Sequence, residues 1–267
     1  MFGLGARALV RRWLAPLSLA AGLCGTRAAL AQVVNVEGLR KSLTQSGVHG
    51  KLGGSITTYN GNTTGTELGG AALVGYREGR HLVYLNTSAN YSNMGGDVRV
   101  ANAFLHFRYN YSFSELVAGE LFAQSESDRF RRLRLRSLFG AGPRFTILQG
   151  DTVSLFYGLS YMFEHTTLGD SVADRPVRPN DVHRLNNYAA LLVVLDPGRA
   201  QLANTIYFQP RVDDLRDMRL LDVLSLEVSI VGQISASLQG TLRYESPVPQ
   251  PLKRADLMVK NMLGLTF

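Results

Sequence analysis

The sequence has almost no cysteine and no apolar run long enough for a membrane-spanning helix. Cys24 is the only cysteine among 267 residues, which excludes a framework of disulfides and a zinc site built from several thiolates. After residue 31 no stretch approaches the roughly 18 consecutive apolar residues that indicate a transmembrane helix. If the protein lies in a membrane, it must therefore cross the bilayer with strands.

Residues 1–31 have the organisation of a cleaved secretory signal peptide. It consists of a positive start, a short apolar core and a small-residue cleavage motif: Arg7, Arg11 and Arg12, then residues 14–23, then Ala29-Leu30-Ala31. Cleavage there gives a mature chain that begins at Gln32 and lacks Cys24. Lipid attachment at Cys24 is disfavoured because Leu23, rather than a small residue, precedes it.

The formal charge of +7 does not indicate nucleic-acid binding. Four of the 28 basic residues and none of the 21 acidic residues lie in the first 31 positions, which leaves 24 basic and 21 acidic residues in the mature chain. The mean hydropathy is close to zero, as expected where lipid-facing and water-facing residues alternate instead of forming blocks.

Alternation of apolar and polar residues is the main pattern from residue 48 onward. In residues 234–245 every second side chain is apolar, which places the apolar and polar sets on opposite faces of a strand. Most such segments exceed the roughly five or six residues usual in soluble sheets, and no helical pattern interrupts them. The predicted strands are 47–59, 65–77, 81–91, 98–110, 115–124, 129–148, 152–164, 183–195, 200–209, 218–230, 233–245 and 256–267.

The connections between these segments alternate in length. Tight turns follow every second strand: Glu78-Gly79-Arg80, Tyr111-Ser112-Phe113-Ser114, Gln149-Gly150-Asp151, Asp196-Pro197-Gly198-Arg199 and Val231-Gly232-Gln233. The other connections are mostly longer and more polar. Short periplasmic turns and longer external loops are typical of bacterial outer-membrane barrels. We therefore predict an all-β fold, a single closed antiparallel transmembrane β-barrel of about 12 strands over residues 47–267, after a short periplasmic lead-in at 32–46.

The last predicted strand ends in an aromatic residue. Leu263, Leu265 and the terminal Phe267 lie on its apolar face. This arrangement resembles the recognition signal of the bacterial outer-membrane barrel assembly machinery. We therefore expect export to the outer membrane, with the assembly machinery and outer-membrane lipid as partners. Nothing in the sequence indicates an oligomeric state.

Two segments carry a resemblance to a known family. One is the first hairpin, Gly53 to Thr63, with a Gly-Asn-Thr turn. The other is Phe122-Ala123-Gln124-Ser125-Glu126-Ser127-Asp128-Arg129-Phe130, continuing through Arg134-Leu135-Arg136 into Gly140-Ala141-Gly142. Their order and spacing resemble the family of salt-induced outer-membrane proteins, a domain of unknown function, over most of the mature chain. The chain departs from the family at Pro143, where a residue able to donate to the sheet is expected. The resemblance implies an outer-membrane barrel and no established activity.

Charged residues in the polar phase of the strands are the candidate functional residues. Arg132, Arg134 and Arg136 are spaced by two, so we predict that all three face the lumen, with Leu133, Leu135 and Phe139 facing lipid. Arginine that faces lipid near the midplane costs roughly 2–4 kcal/mol. The polar phases of neighbouring strands add His106, Arg108 and Glu120. This set indicates either a charge lattice that fills the lumen or a cationic constriction that favours anions.

Catalytic and metal-binding patterns are weak. A barrel phospholipase needs His-x-Ser, and none of the five histidines has a serine two positions later. An omptin-like protease needs Asp–Asp and Asp–His pairs, for which Asp213-Asp214 and Asp181-x-His183 are the only candidates. His165 and His183, with Asp170, Asp174 and Asp181, lack the close spacing of a metal site. We therefore expect no enzymatic activity, no cofactor and no metal.

Three classes of function remain open for such a barrel. The first is a structural or stress-associated envelope protein with a largely filled, charged lumen. The second is a small diffusion channel that prefers anions, and the third is an envelope hydrolase, which lacks its motif.

Overall fold

The computed structural model describes residues 46–59, 65–94, 97–128, 133–168, 180–247 and 254–267. The predicted signal peptide, nearly all of the predicted lead-in and Arg132 lie outside these residues. Within the described part of the chain, no helix is long and apolar enough to cross a membrane.

Twelve strands make up the fold, and each coincides with a strand that the alternation predicts. They are β1 Gly47–Tyr59, β2 Gly65–Glu78, β3 His81–Met94, β4 Asp97–Ser112, β5 Val117–Asp128, β6 Leu133–Gln149, β7 Val153–Leu168, β8 Asp181–Asp196, β9 Ala200–Pro210, β10 Met218–Val231, β11 Ile234–Ser246 and β12 Ala255–Thr266. The shortest strand, β9, has 11 residues and the longest, β6, has 17. A tilted strand needs about 9–11 residues to span a bilayer, so all of these strands are long enough.

The strands form one closed barrel, as predicted. Each strand pairs antiparallel with its neighbours in chain order, and β1 pairs with β12. The ends of the barrel sequence meet at this seam, where Phe267 and Gly50 exchange two backbone hydrogen bonds with N···O distances of 2.8 and 2.9 Å. Closure removes the sheet edges, whose unpaired backbone groups are costly in hydrocarbon.

The two ends of the barrel differ in their connections. Tight hairpins join β2 to β3, β8 to β9 and β10 to β11, and each has a glycine with positive φ: Gly79 at 54°, Gly198 at 77° and Gly232 at 54°. Residues other than glycine rarely adopt this region, which hairpin loops of two or three residues need. We call this end of the barrel the turn end, and the opposite end, which includes residues 211–217 between β9 and β10, the loop end.

Exposed and buried side chains alternate along the strands. In β3, Tyr84 and Asn86 are buried and Leu85 is exposed. The exposed face is mainly leucine, valine, phenylalanine and tyrosine, whereas the buried face contains fully enclosed charges such as Glu164 and Arg184. An apolar outside around a charged inside reverses the order of a soluble protein and fits a bilayer. The fold is a transmembrane β-barrel.

The predicted phase of the first residues of β6 is wrong. We expected Arg134 inside and Leu133 outside, but Leu133 is 3% exposed and Arg134 is exposed. The cause is a β-bulge, because the ladder to β7 pairs Leu133 and Leu135 with consecutive residues and skips Arg134. An extra residue reverses the alternation on one side of the bulge. From Leu135 onward the predicted phase is correct, with Arg136 buried and Phe139 exposed.

Pro143 lies at a second irregularity of β6. It pairs with Gly119 of β5, but the ladder to β7 passes from Ala141 directly to Arg144. A Cβ added to Gly142 would overlap the backbone oxygen of Leu159, so β7 approaches here more closely than any side chain allows. The missing amide hydrogen of proline is tolerated because this position makes no ladder pair on the β7 side.

Candidate functional site in the barrel lumen

Charged side chains from six strands meet inside the barrel near the loop end. They come from β5, β6, β7, β8, β10 and β11, together with the loop before β10. We call them the loop-end charge cluster: Glu126, Arg136, Glu164, Arg184, Arg211, Asp217, Arg219, Arg243 and Glu245. The strand members occupy the inward phase of their strands, where the lumen accepts charge that the lipid face does not.

Glu164 lies at the centre of this cluster. Its carboxylate accepts hydrogen bonds from Arg184 Nε at 2.9 Å, from Arg219 Nη2 at 2.7 Å and from Thr166 Oγ1 at 2.9 Å. Arg136 Nε lies 3.8 Å from the same carboxylate. Glu164 and Arg184 are completely buried. Because β7 and β10 are three strands apart, the Glu164–Arg219 pair bridges the lumen.

Arg184 also ties the loop between β9 and β10 to the barrel. Its Nη2 donates to Asp217 Oδ1 at 2.8 Å, and its Nη1 donates to the backbone oxygens of Asp217 and Gln209, both at 3.1 Å. Arg211 Nη1 lies 3.5 Å from the second carboxylate oxygen of Asp217. These bonds hold residues 211–217 against the loop end of β8, where Arg211 and Arg184 also form a backbone bridge.

The loop-end charge cluster is close to electrically neutral. Its four acids lie among five arginines, and each arginine has a carboxylate within 4 Å. Glu245, for example, lies 3.6 Å from both Arg136 and Arg219. The network has an excess of only one positive charge, so its electrostatic field in the lumen attracts anions weakly.

A second, smaller cluster lies nearer the turn end. Glu120 accepts hydrogen bonds from Asn110 Nδ2 and Tyr188 Oη, both at 2.6 Å. Arg108 and Arg144 lie 3.6 and 3.7 Å from the same carboxylate. The Arg108 guanidinium also lies 5.5 Å from the ring of Tyr188, in the range of cation–π attraction. We call this group the turn-end cluster; it too bridges the lumen, from β4 and β5 to β8.

Aromatic and apolar side chains occupy the space between the two clusters. His106 stacks between Phe104 and Phe122, each with its ring centroid 6.2 Å away. Phe122 continues into a buried apolar contact with Leu138 and Met162. Beside them remains a cavity of about 90 Å³, enough for a few water molecules. At this level the described side chains therefore pack against one another around a small cavity.

The structure distributes the predicted lumen residues between two clusters. Arg136 belongs to the loop-end charge cluster, whereas Arg108 and Glu120 form the turn-end cluster with His106 beside them. Arg134 does not contribute, because the bulge turns it outward. Arg132 lies outside the described residues. The predicted row of three inward arginines on one strand is therefore wrong at Arg134.

The predicted assembly residues lie on the outer face. Leu263, Leu265 and Phe267 are all exposed, in phase with the lipid-facing side of β12. The Phe267 ring covers Gly50 of β1, where any added Cβ would overlap it. Aromatic cover of a glycine across a strand pair helps to fix the register, so the terminal residue contributes to closure itself.

Sequence reasoning missed the centre of the loop-end charge cluster. Glu164, Arg184 and Arg219 each occupy the polar phase of a predicted strand or its edge. Their shared inward phase is the sequence signal that could have identified them, although each is an isolated charge on a separate strand.

The described catalytic and metal candidates lie on the outside at the loop end, whereas Asp170 and Asp174 lie outside the described residues. His165 Nδ1 is 2.6 Å from Asp181 Oδ1, and Thr167 Oγ1 is 3.5 Å from His165 Nε2. His183 Nδ1 contacts Tyr161 Oη at 2.8 Å. Among the described residues no group of three or more His, Cys, Asp or Glu is placed to hold a metal ion. The absence of enzymatic activity stays a prediction.

Several solved structures are similar to this chain at low sequence identity. The KdgM porin has 8% identity and a TM-score of 0.45, covering 82% of this chain and 98% of its own. The translocator domain of the autotransporter NalP from Neisseria meningitidis has 11% identity and a TM-score of 0.45, covering 87% and 92%. No curated protein matches the sequence. A family model described as a protein of unknown function matches residues 50–267, and the chain therefore belongs to the DUF481 family.

Proposed function

We propose that this protein is an exported bacterial outer-membrane barrel with a structural or stress-associated role in the envelope, and that its lumen is closed to solutes. The proposal rests on the loop-end charge cluster, in which the Glu164–Arg219 pair bridges the lumen and, together with Arg184, has little or no solvent exposure. A diffusion channel keeps that space for water. The turn-end cluster fills a second level of the same lumen.

The same proposal includes the route of the chain to the membrane and its lack of catalytic activity. A signal peptide directs export, the barrel assembly machinery inserts the chain, and outer-membrane lipid surrounds it. The barrel has no catalytic role and binds no nucleic acid. Arginines and acids that satisfy each other inside the barrel support a structural role, since neither set is left available for chemistry on a substrate.

Single-channel recording on the refolded protein tests the closed lumen. The wild-type protein should give no stable stepwise current in planar bilayers, whereas a general porin reconstituted in the same way serves as the positive control. Stable unitary currents from the wild-type protein would refute the proposal.

One observation favours a second function, a small channel with a preference for anions. Four arginines and two glutamates line the cavity of about 90 Å³, an excess of positive charge: Arg108, Arg136, Arg219, Arg243, Glu126 and Glu245. Rings of charge set the ion preference of pores. Under this alternative the same recording shows small currents whose reversal potential in a salt gradient shifts toward the anion potential. A cation-shifted potential would exclude it.

A further inference from the structure

The barrel closes through a short ladder. β1 and β12 pair from Lys51↔Thr266 to Gly54↔Leu263, and Gly50 with Phe267 adds one more pair. Residues 55–59 go on pairing with β2, and residues 255–262 go on pairing with β11, but the two segments form no ladder with each other. In these described strands, the β1–β12 seam is therefore open over its loop-end half.

A cavity of about 890 Å³ lies where the two strands diverge. We call it the seam groove. Its lining is mainly lipid-facing aliphatic side chains, including Leu68, Leu226, Leu238 and Leu263. Glycine creates part of the space, because a Cβ on Gly54 would have no neighbour closer than 4.0 Å. The volume lies within the roughly 300–1,000 Å³ of small-molecule sites, and the groove opens to bilayer hydrocarbon.

Two lysines cross this seam on the lumen side, in opposite directions. Lys51 of β1 reaches across β12 and β11 to Glu227 of β10. Lys260 of β12 extends past Gly69 of β2 to Asn90 of β3, with an Nζ···Oδ1 distance of 3.2 Å. Because Gly69 also lines the seam groove, the Lys260 ammonium lies at the groove's inner end.

We propose that the seam groove binds a long-chain carboxylate, which enters sideways from the bilayer. The hydrocarbon chain lies among the leucines of the groove, and the carboxylate meets the Lys260 ammonium beside the Ser55 hydroxyl at the inner end. The apolar outer part and the cationic inner end match the two halves of such an amphiphile. This site goes beyond the proposed structural function and does not need an axial pore, since the opening is lateral.

Fluorescence quenching by a spin-labelled stearate tests the site in the mature chain refolded into lipid vesicles. The single tryptophan, Trp13, lies in the predicted signal peptide, so the mature chain from Gln32 contains none. Leu238→Trp in the mature chain reports on the groove. Leu121→Trp, on the lipid face of β5 and away from the seam, reports on stearate dissolved in the bilayer. We expect saturable quenching of the first at probe levels where quenching of the second is small and proportional to probe.

Two further variants connect the quenching to the seam groove. Gly54→Leu fills the groove without a backbone clash and should abolish the saturable phase. Lys260→Met should raise the apparent Kd for stearate roughly tenfold or more, as expected for the loss of a charge-assisted hydrogen bond. It should leave binding of the neutral methyl ester unchanged, and heat-modifiable gel mobility verifies that each variant is folded. Equal, non-saturable quenching of both reporters would overturn the proposal, as would saturable quenching that neither variant alters.

Discussion

Replacing Glu164 with glutamine tests whether the loop-end charge cluster stabilises the barrel. Glu164 is completely buried and lies within 4 Å of three arginines, Arg136, Arg184 and Arg219. Glutamine keeps the shape of the side chain and one oxygen acceptor but removes the charge. The three arginines remain buried, so the cost of removing them from water is unchanged, but they lose the attraction of one carboxylate.

The expected loss of stability is large for a single isosteric change. Removing one partner of a buried ion pair costs about 3–5 kcal/mol, compared with a total stability on the order of 5–15 kcal/mol. The carbonyl oxygen of glutamine still accepts a hydrogen bond. We therefore expect Glu164→Gln to lower the free energy of unfolding by about 3 kcal/mol, at the lower end of this range. With a urea m-value of roughly 2 kcal/mol per M, the unfolding midpoint falls by about 1.5 M.

Urea titration of the barrel in lipid vesicles, followed by heat-modifiable gel mobility, measures this loss. Glu115→Gln, in an exposed turn between β4 and β5, is the matched control and should change stability by no more than about 0.5 kcal/mol. In a double-mutant cycle with Arg219→Gln, the double variant should lose less than the sum of the singles, by about 0.5–3 kcal/mol. Equal midpoints for Glu164→Gln and Glu115→Gln would show that this carboxylate does not hold the cluster.

Three further changes test other parts of the wall. Phe267→Asp should sharply reduce folded barrel in the outer membrane while Phe267→Tyr does not; equal amounts on a heat-modifiability gel would contradict the role of the terminal ring in closure. Phe139→Arg, near the middle of β6, should lower the free energy of unfolding by about 2–4 kcal/mol, whereas Leu135→Arg, near the loop end of β6, should lower it by about 0–1 kcal/mol. Equal urea midpoints for the two variants would contradict the depth assigned to β6. Gly142→Ala should cost about 1–3 kcal/mol because the backbone of β7 must move, whereas Gly70→Ala, with no atom within 4 Å of an added Cβ, should be nearly neutral.

The strand order and the closure of the barrel were predictable from the sequence because almost every strand keeps the local pattern that indicates it. Period-two alternation and glycine-marked turns are enough to place twelve strands within about four residues, because the inside and the outside of a membrane barrel demand opposite side chains. Among the described residues, the predicted inward or outward direction of a side chain was wrong where the backbone departs from this two-residue period. At Arg134 a bulge inserts one residue, and no residue type in Leu133-Arg134-Leu135 marks it. Such a shift depends on the partner strand rather than on the bulged segment itself.

The lumen was harder to predict because its contacts join residues far apart in sequence. Glu164 and Arg219 are separated by 55 positions, and their pairing depends on the stagger of four strands as well as on phase. Alternation identifies which side chains face inward but does not give their height along the barrel axis. Arg136 and Arg108 share the inward phase, yet they belong to clusters at different heights.

The distribution of cross-lumen bonds makes one part of the wall different from the rest. The two charge clusters connect strands from β4 to β11. Among the described contacts, the seam strands β1 and β12 reach beyond their neighbours through Lys51, which contacts Glu227 of β10, and Lys260, which contacts Asn90 of β3. Local opening requires least free energy where cross-links and ladder pairs are fewest. The seam is therefore the part of the barrel expected to open first. Under the closed lumen proposed above, a ligand crosses this barrel more easily through the wall at β1 and β12 than along the axis.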